Sequence, residues 1–182
     1  MDFELVFEKV ITKFKEENIR YGLIGGFALG VMGILRATMD IDFLLLVDDL
    51  EKADNILTAS MYKCLHKTEN LSQYSSDLKV LGSIDIIHAS RRLSREMLAR
   101  VDFFNVFDKY SIPVLSAEDL IGLKVQAITN DASREAIDFH DMRLLLEYQK
   151  RTEVEIDWEL LAEYFVLFER RDLLNVLKKE FT

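Results

Sequence analysis

Several residue types are scarce in this chain of 182 residues, and each scarcity excludes a class of protein. A single cysteine, Cys64, excludes an intrachain disulfide and is typical of a reducing, cytoplasmic setting. No apolar run is long enough to cross a bilayer, so a membrane partner is not expected. The only proline, Pro113, marks no flexible linker, and we therefore expect one domain rather than two separable ones.

Positive charge is also in deficit, with 23 Lys and Arg against 32 Asp and Glu and a net charge of -9. A chain this acidic does not bind nucleic acid through bulk electrostatics. One basic cluster, Arg91, Arg92, Arg95 and Arg100, is best interpreted as a solvated helix face. If a polynucleotide were the substrate, its backbone would contact this cluster.

The patterning predicts an α/β (α+β) fold, with a small mixed β-sheet, flanking helices and a C-terminal helical region. We expect the core to span about residues 1–115 and the helical region about 116–182. An amphipathic helix is predicted over about 2–17. The polar, serine-rich stretch 66–77 is predicted to be a mobile loop. Phe103, Phe104 and Phe107 are predicted to be core residues rather than a base-stacking platform.

The most informative stretch runs from a glycine pair to two aspartates. Gly25 and Gly26 end a predicted strand, and a short helix leads to a second strand that carries Asp40 and Asp42. Since side chains alternate along a strand, the two carboxylates share a face, about 7 Å apart. They could form a solvated strand face. They could also converge on one divalent cation, with the glycine pair allowing backbone amides to approach a phosphate.

A third carboxylate, Asp85, lies in the β-branched segment Ser83–His88. A lone Asp in a buried strand is expected to be paired, neutralised or metal-bound. If its strand lies beside the one that carries Asp40 and Asp42, the three become a ligand set for two-metal chemistry. Asp85 would then orient or deprotonate the attacking hydroxyl; alone, it could simply cap a strand end.

These residues resemble the signature of the nucleotidyltransferase superfamily with a polymerase-β-like core. The closer resemblance is to its AbiEii-type toxin and minimal nucleotidyltransferase branches, and extends to about Leu146. It is carried by three segments: Gly26-Phe27-Ala28, Arg36-Ala37-Thr38-Met39-Asp40-Ile41-Asp42 and Leu115-Ser116-Ala117-Glu118-Asp119-Leu120-Ile121-Gly122-Leu123-Lys124. The segment 134–141 resembles that branch's Arg-x-x-Lys-Asp-x-x-Asp motif, but has Ile137 where the motif usually has Lys.

The resemblance implies an enzyme that moves a nucleoside monophosphate from a nucleoside triphosphate to a hydroxyl, with Mg²⁺ or Mn²⁺. It implies catalytic and metal-binding roles for Asp40, Asp42 and Asp85. The acceptor would be a protein, a tRNA or a small molecule, and an antitoxin-type protein is a possible partner. The alternative is a nucleotide-binding or partner-binding module without turnover, which Ile137 favours slightly and the intact carboxylate set does not.

Five further residues are predicted to bind nucleotide: Gly25, Gly26, Arg36, Thr38 and Lys124. Arg36 could contact the triphosphate or pair with an aspartate of the same strand. Lys124 lies beside the apolar face of a predicted helix that begins near Ser116, and it could bind phosphate or be an ordinary surface lysine. The Arg134–Asp138 pair is most simply a structural salt bridge.

Overall fold

A computed structural model describes all 182 residues, and the chain divides into two compact units. The first spans Met1–Leu115 and holds the sheet; the second spans Ser116–Thr182 and is helical. Whether they make up the single domain expected from the sequence stays a prediction.

A seven-stranded mixed sheet forms the centre of the first unit, in the order β3-β4-β5-β2-β1-β7-β6. Its strands are β1 Tyr21–Ile24, β2 Asp40–Leu46, β3 Lys63–Lys67, β4 Leu71–Ser75, β5 Ser83–Ala89, β6 Asp102–Val106 and β7 Tyr110–Val114. The pairs β2–β5 and β1–β7 are parallel, and the others are antiparallel. The α/β fold class with a mixed sheet is therefore confirmed.

Helical segments cover the sheet of the first unit. They are α1 Phe3–Val6, a π-helical segment Phe7–Ile11, α2 Thr12–Glu16, α3 Gly25–Val31, a 3₁₀ segment Val47–Asp49, α4 Leu50–Ala59 and α5 Arg92–Ala99. The predicted N-terminal helix is present, but its middle is π-helical: the backbone amide and hydroxyl of Thr12 both donate to the carbonyl of Phe7, five residues earlier. Phe14 anchors this helix through ring contacts with Tyr21 and Phe43.

The stretch predicted to be a mobile loop, residues 66–77, instead contributes part of β3 and all of β4. Ser72 and Tyr74 of β4 are buried, and the strand pairs with β3 on one side and β5 on the other. The Tyr74 hydroxyl donates to Asp54, and burial, followed by this hydrogen bond, raises the pKa of Tyr74. The prediction was wrong because pairing on both sides stabilises a strand whose own sequence is polar.

The placement of two aromatics in the core was also wrong. Phe103 on β6 is 69% exposed and Phe107 in the β6–β7 turn is 45% exposed, whereas Phe104 is half-buried. Strand β6 lies at the edge of the sheet and has a neighbouring strand on one side only, so fewer residues surround its side chains. Residue type alone does not reveal that a strand is at an edge.

The second unit consists of α6 Ala117–Asn130, a 3₁₀ segment Ala132–Arg134, α7 Glu135–Arg151, α8 Trp158–Leu167 and α9 Arg171–Phe181. The Ser116 hydroxyl accepts from the amide of Asp119 and caps α6, as its sequence predicts. Gly122 lets α8 approach α6, because a Cβ there would lie 2.7 Å from the ring of Tyr164.

Candidate active site

The register between β2 and β5 brings Asp42 and Asp85 together. The two strands are parallel, with Asp42 directly opposite Asp85 and Asp40 opposite Ser83. Neighbouring strands lie about 4.8 Å apart, so opposed side chains on one face are within reach of a common ligand. Both aspartates are half-buried, whereas their neighbours Ile41 and Phe43 are fully buried on the other face.

Asp40 joins the same face, two residues before Asp42. Its carboxylate accepts a hydrogen bond from the hydroxyl of Thr38, the residue at the end of the loop that enters β2. Thr38 thus holds Asp40 in position through a neutral donor. Its predicted role in nucleotide binding stays a prediction. No ion pair reaches Asp40.

The glycine pair borders these carboxylates. Gly25 has φ +70°, in the region that glycine tolerates best, and a Cβ there would collide with the carboxylate of Asp42. A Cβ at Gly26 would lie 3.0 Å from the Cβ of Thr38. Gly25 therefore requires a residue without a side chain, whereas a Cβ at Gly26 would need Thr38 to shift by a few tenths of an ångström.

Gln73 is a site residue that the sequence-based prediction missed. It lies opposite Asp85 on β4, and its side-chain amide donates to Asp85 Oδ2 at 3.0 Å. The alternation of Ser72 and Tyr74 with Leu71 and Gln73 was the available signal, since it places Gln73 on the same face as Asp85. The surrounding polar residues led us to predict a loop instead.

Arg36 is exposed and lies in the loop before β2, on the side where Gly26 and Thr38 face each other. This position is compatible with the predicted contact to a triphosphate and with the alternative of an ion pair to the strand carboxylates. Its role stays a prediction.

Lys124 lies in the second unit, where its ammonium group contacts two buried carboxylates. Lys124 Nζ lies 3.1 Å from Asp138 and 2.7 Å from Asp141, and Arg134 Nε lies 2.8 Å from Asp138, as the predicted salt bridge requires. Lys124 thus joins α6 to α7. Ile137, at the position where the family motif usually has Lys, is 56% exposed.

The carboxylates of Asp40, Asp42 and Asp85 fit a divalent cation by their chemistry, because Mg²⁺ prefers oxygen ligands and binds through one or two carboxylates. As they are placed, no three acidic, His or Cys side chains of the chain are close enough to form a metal site. Thr38 and Gln73 hold two of the carboxylates in their present orientations.

A match to a family model shows the family of the chain. Residues 81–181, more than half of the chain, match the family described as "Nucleotidyl transferase AbiEii toxin, Type IV TA system". The chain belongs to the AbiEii nucleotidyltransferase family. The sequence-based identification of a nucleotidyltransferase enzyme is thereby confirmed. The matched segment of this AbiEii-family chain includes Asp85 and Lys124, and it begins after Gly25, Asp40 and Asp42.

Solved structures with similar folds are also nucleotidyltransferases. The antibiotic-resistance factor ANT(2'')-Ia matches 94% of this chain and 97% of its own, with a TM-score of 0.68 and 14% identity. The lincomycin-bound lincosamide adenylyltransferase LnuA matches 78% of this chain and 94% of its own, with a TM-score of 0.57 and 16% identity. The Megavirus polyadenylate synthase matches 80% of this chain and 31% of its own, with a TM-score of 0.53 and 17% identity. At sequence identities of 14%, 16% and 17%, the similarity to these structures shows only that the AbiEii-family chain shares their fold.

Two negative findings complete the comparison. No curated protein sequence matches the AbiEii-family chain. None of its helices has the length and apolar character needed to span a bilayer.

Proposed function

We propose that this AbiEii-family chain transfers a nucleoside monophosphate from a nucleoside triphosphate to a hydroxyl acceptor, with Asp40, Asp42 and Asp85 as its catalytic carboxylates. The observation that carries the proposal is the register of β2 and β5, with Asp42 opposite Asp85 and the glycine turn against Asp42. Two like charges face each other at this point. Two carboxylates at this spacing on one face are suited to share a divalent cation.

Each residue has a defined part in this reaction. Gly25 and Gly26 let the backbone approach the triphosphate, and Arg36 and Thr38 lie where its oxygens pass. Asp85 orients or deprotonates the acceptor hydroxyl. The acceptor oxygen attacks the α-phosphorus, the bond to the bridging oxygen breaks, and pyrophosphate leaves with the electron pair.

The proposed cofactor is Mg²⁺ or Mn²⁺, held by the three aspartates, and it would neutralise the charge that develops on the phosphates and the leaving group. Neutralisation is required here because the site is built from carboxylates in a chain of net charge -9. Positioning and charge compensation then account for most of the rate enhancement.

The acceptor class is an open part of the proposal: a protein side chain, a tRNA or a small molecule. The family description names a toxin of a toxin–antitoxin system, which supports a macromolecular acceptor and an antitoxin-type partner. ANT(2'')-Ia has been captured with adenylyl-2''-tobramycin, which supports a small molecule.

Transfer of label from each α-labelled nucleoside triphosphate tests the proposal. The purified chain is incubated with Mg²⁺ and total cell extract, and protein, RNA and small molecules are then separated. Label is expected in one class. It should fall about a thousandfold with Asp42→Asn, because metal-assisted charge stabilisation contributes several kcal/mol.

Asp77→Asn is the matched control, since Asp77 is an exposed carboxylate whose partner, Lys63, is also exposed. It removes one charge of the same type and should leave transfer unchanged. Equal transfer by Asp42→Asn and the unsubstituted chain would show that the carboxylate face is not the active site.

A further inference from the structure

A cavity of about 530 Å³ opens beside the glycine turn, and the roles assigned above involve only its polar side. Its polar side is formed by Gly26, Arg36 and Thr38, and its remaining walls come from the N-terminal helix, α3 and the end of β6 with the following turn. This volume lies in the range of small-molecule sites. The cavity therefore continues directly from the proposed phosphate-binding turn.

Aromatic rings form the apolar wall. Phe3 and Phe27 stack with centroids 4.3 Å apart, and Phe7 contacts Phe27 and Phe107 edge-on at 5.5 and 5.7 Å. Phe7 is fully buried and anchors the cluster, whereas Phe3 and Phe27 are half-buried and Phe107 is 45% exposed. Phe3, Phe27 and Phe107 are less covered than Phe7, so part of each ring is accessible to a planar group.

The backbone supports a role for Phe107 beyond packing. Phe107 and Asp108 form the β6–β7 turn with φ +55° and +51°, a conformation that favours Gly, Asn or Asp at both positions. A bulky residue with positive φ is an outlier. Residues held in such conformations cluster at ligand-binding sites. The turn thus keeps a large ring beside the cavity at the expense of backbone stability.

Polar groups complete the cavity. Asn105 lies on its wall, is exposed, and carries both a donor and an acceptor in one amide. A nucleobase presents donors and acceptors along one edge and a flat face for stacking, so one amide beside aromatic rings matches its chemistry.

The order of the strands decides which substrate the cavity serves. Asp85 and Gln73 lie on β5 and β4, on one side of β2, whereas the cavity is built from the other side, around α3 and β6. The acceptor is assigned to Asp85 and the triphosphate to the glycine turn. The group that enters the cavity is therefore attached to the triphosphate.

We propose that this aromatic cavity binds the base of the nucleoside triphosphate, with the rings of Phe27 and Phe107 as its apolar contacts and Asn105 at the base edge. The assignment rests on the proposed function, because it takes the triphosphate to lie at Gly25 and Gly26. It makes the N-terminal helix, through Phe3 and Phe7, part of the nucleotide site.

Calorimetric titrations with ATP, GTP, CTP, UTP and inorganic triphosphate, all with Mg²⁺, test the assignment on the full chain. At least one nucleotide should bind more tightly than inorganic triphosphate. Phe107→Asn should raise the Kd for that nucleotide roughly ten- to hundredfold, the usual effect of a lost base–aromatic contact. The Kd for inorganic triphosphate should not change. Asn tolerates the positive φ better than Phe, which offsets the lost ring contact with Phe7, so thermal unfolding should show only a small change in stability.

Two further variants make the result specific. Phe107→Tyr keeps the ring and should retain nucleotide binding. Phe103→Ala removes a more exposed ring from β6, outside the cavity, and should leave nucleotide binding unchanged. Asn105→Ala should alter the order of preference among the four bases.

The outcomes separate this assignment from the proposed function. If inorganic triphosphate binds as tightly as every nucleotide, or if Phe107→Asn binds nucleotide normally, the base pocket is refuted and the phosphate site stands. If neither inorganic triphosphate nor any nucleotide binds, the proposed function is refuted and the base pocket with it.

Discussion

Two pairs of aspartates, one pair in each unit, are compensated in different ways. In the second unit, Asp138 and Asp141 are almost fully buried, and both form ion pairs with Lys124. In the first unit, Asp40 and Asp85 are only half-buried, and each accepts a hydrogen bond from a neutral donor, Thr38 or Gln73. The buried pair is therefore compensated by a cation within the fold, whereas Asp40 and Asp85 remain accessible to a ligand.

Replacing Lys124 with Met gives the largest expected effect on stability. It removes the ammonium group that pairs with two buried carboxylates, and breaking such a buried pair costs about 3–5 kcal/mol. We expect urea denaturation to show a loss of this size. The control is Lys63→Met, whose exposed partner Asp77 makes an ion pair worth under about 1 kcal/mol.

The same variant tests the nucleotide-binding role that the family resemblance assigns to Lys124. If Lys124→Met unfolds at the same urea concentration as the unsubstituted chain yet binds nucleoside triphosphate much more weakly, Lys124 is a phosphate ligand. The contrast between the two pairs of aspartates would then not hold, because the charge of Lys124 would bind phosphate rather than compensate Asp138 and Asp141.

A smaller effect on stability is expected at the glycine turn, where Gly25→Ala combines a positive φ with a collision against Asp42. The backbone term alone costs about 1–2 kcal/mol. Activity should fall further than stability, since the new Cβ must displace the catalytic carboxylate. Thermal unfolding and nucleotidyl transfer, measured on the same preparation, separate the two effects.

Gly30→Ala is the control for stability alone in the same helix, α3, because Gly30 also lines the cavity assigned above to the base. A Cβ at Gly30 meets nothing within 4 Å, so Ala should stabilise the helix by about 0.5–1 kcal/mol through its propensity. If Gly25→Ala transfers nucleotide as well as the unsubstituted chain does, the close approach of the turn to Asp42 has no catalytic role.

Much of the fold and of the candidate site could be predicted from the sequence, because these features depend on the local pattern of residues. The alternation from Asp40 to Phe43 places the aspartates on one face, the glycine pair marks the turn, and Ser116 marks the start of α6. These features are decided by neighbours within a few residues.

Other features depend on contacts between distant segments, which no local pattern reveals. Strand β4 is polar and is stabilised by pairing with β3 and β5, so Gln73 was missed. Phe107 was placed in the core because its residue type is apolar, although the turn exposes it. The two buried partners of Lys124 lie 14 and 17 residues away and come together only through the packing of α6 against α7.

The smallest expected effect concerns Gln73, whose amide orients Asp85. Gln73→Leu removes one half-exposed hydrogen bond and should change the free energy of unfolding by about 1 kcal/mol or less. Groups that orient ligands or catalytic carboxylates typically contribute 10- to 100-fold to activity. We therefore expect kcat to fall about tenfold while the Kd for nucleoside triphosphate stays the same, because Asp85 acts on the acceptor. If nucleotide binding instead weakens as much as kcat falls, Asp85 contacts the triphosphate rather than the acceptor. The hydrogen bond from Gln73 would then orient a nucleotide-binding carboxylate.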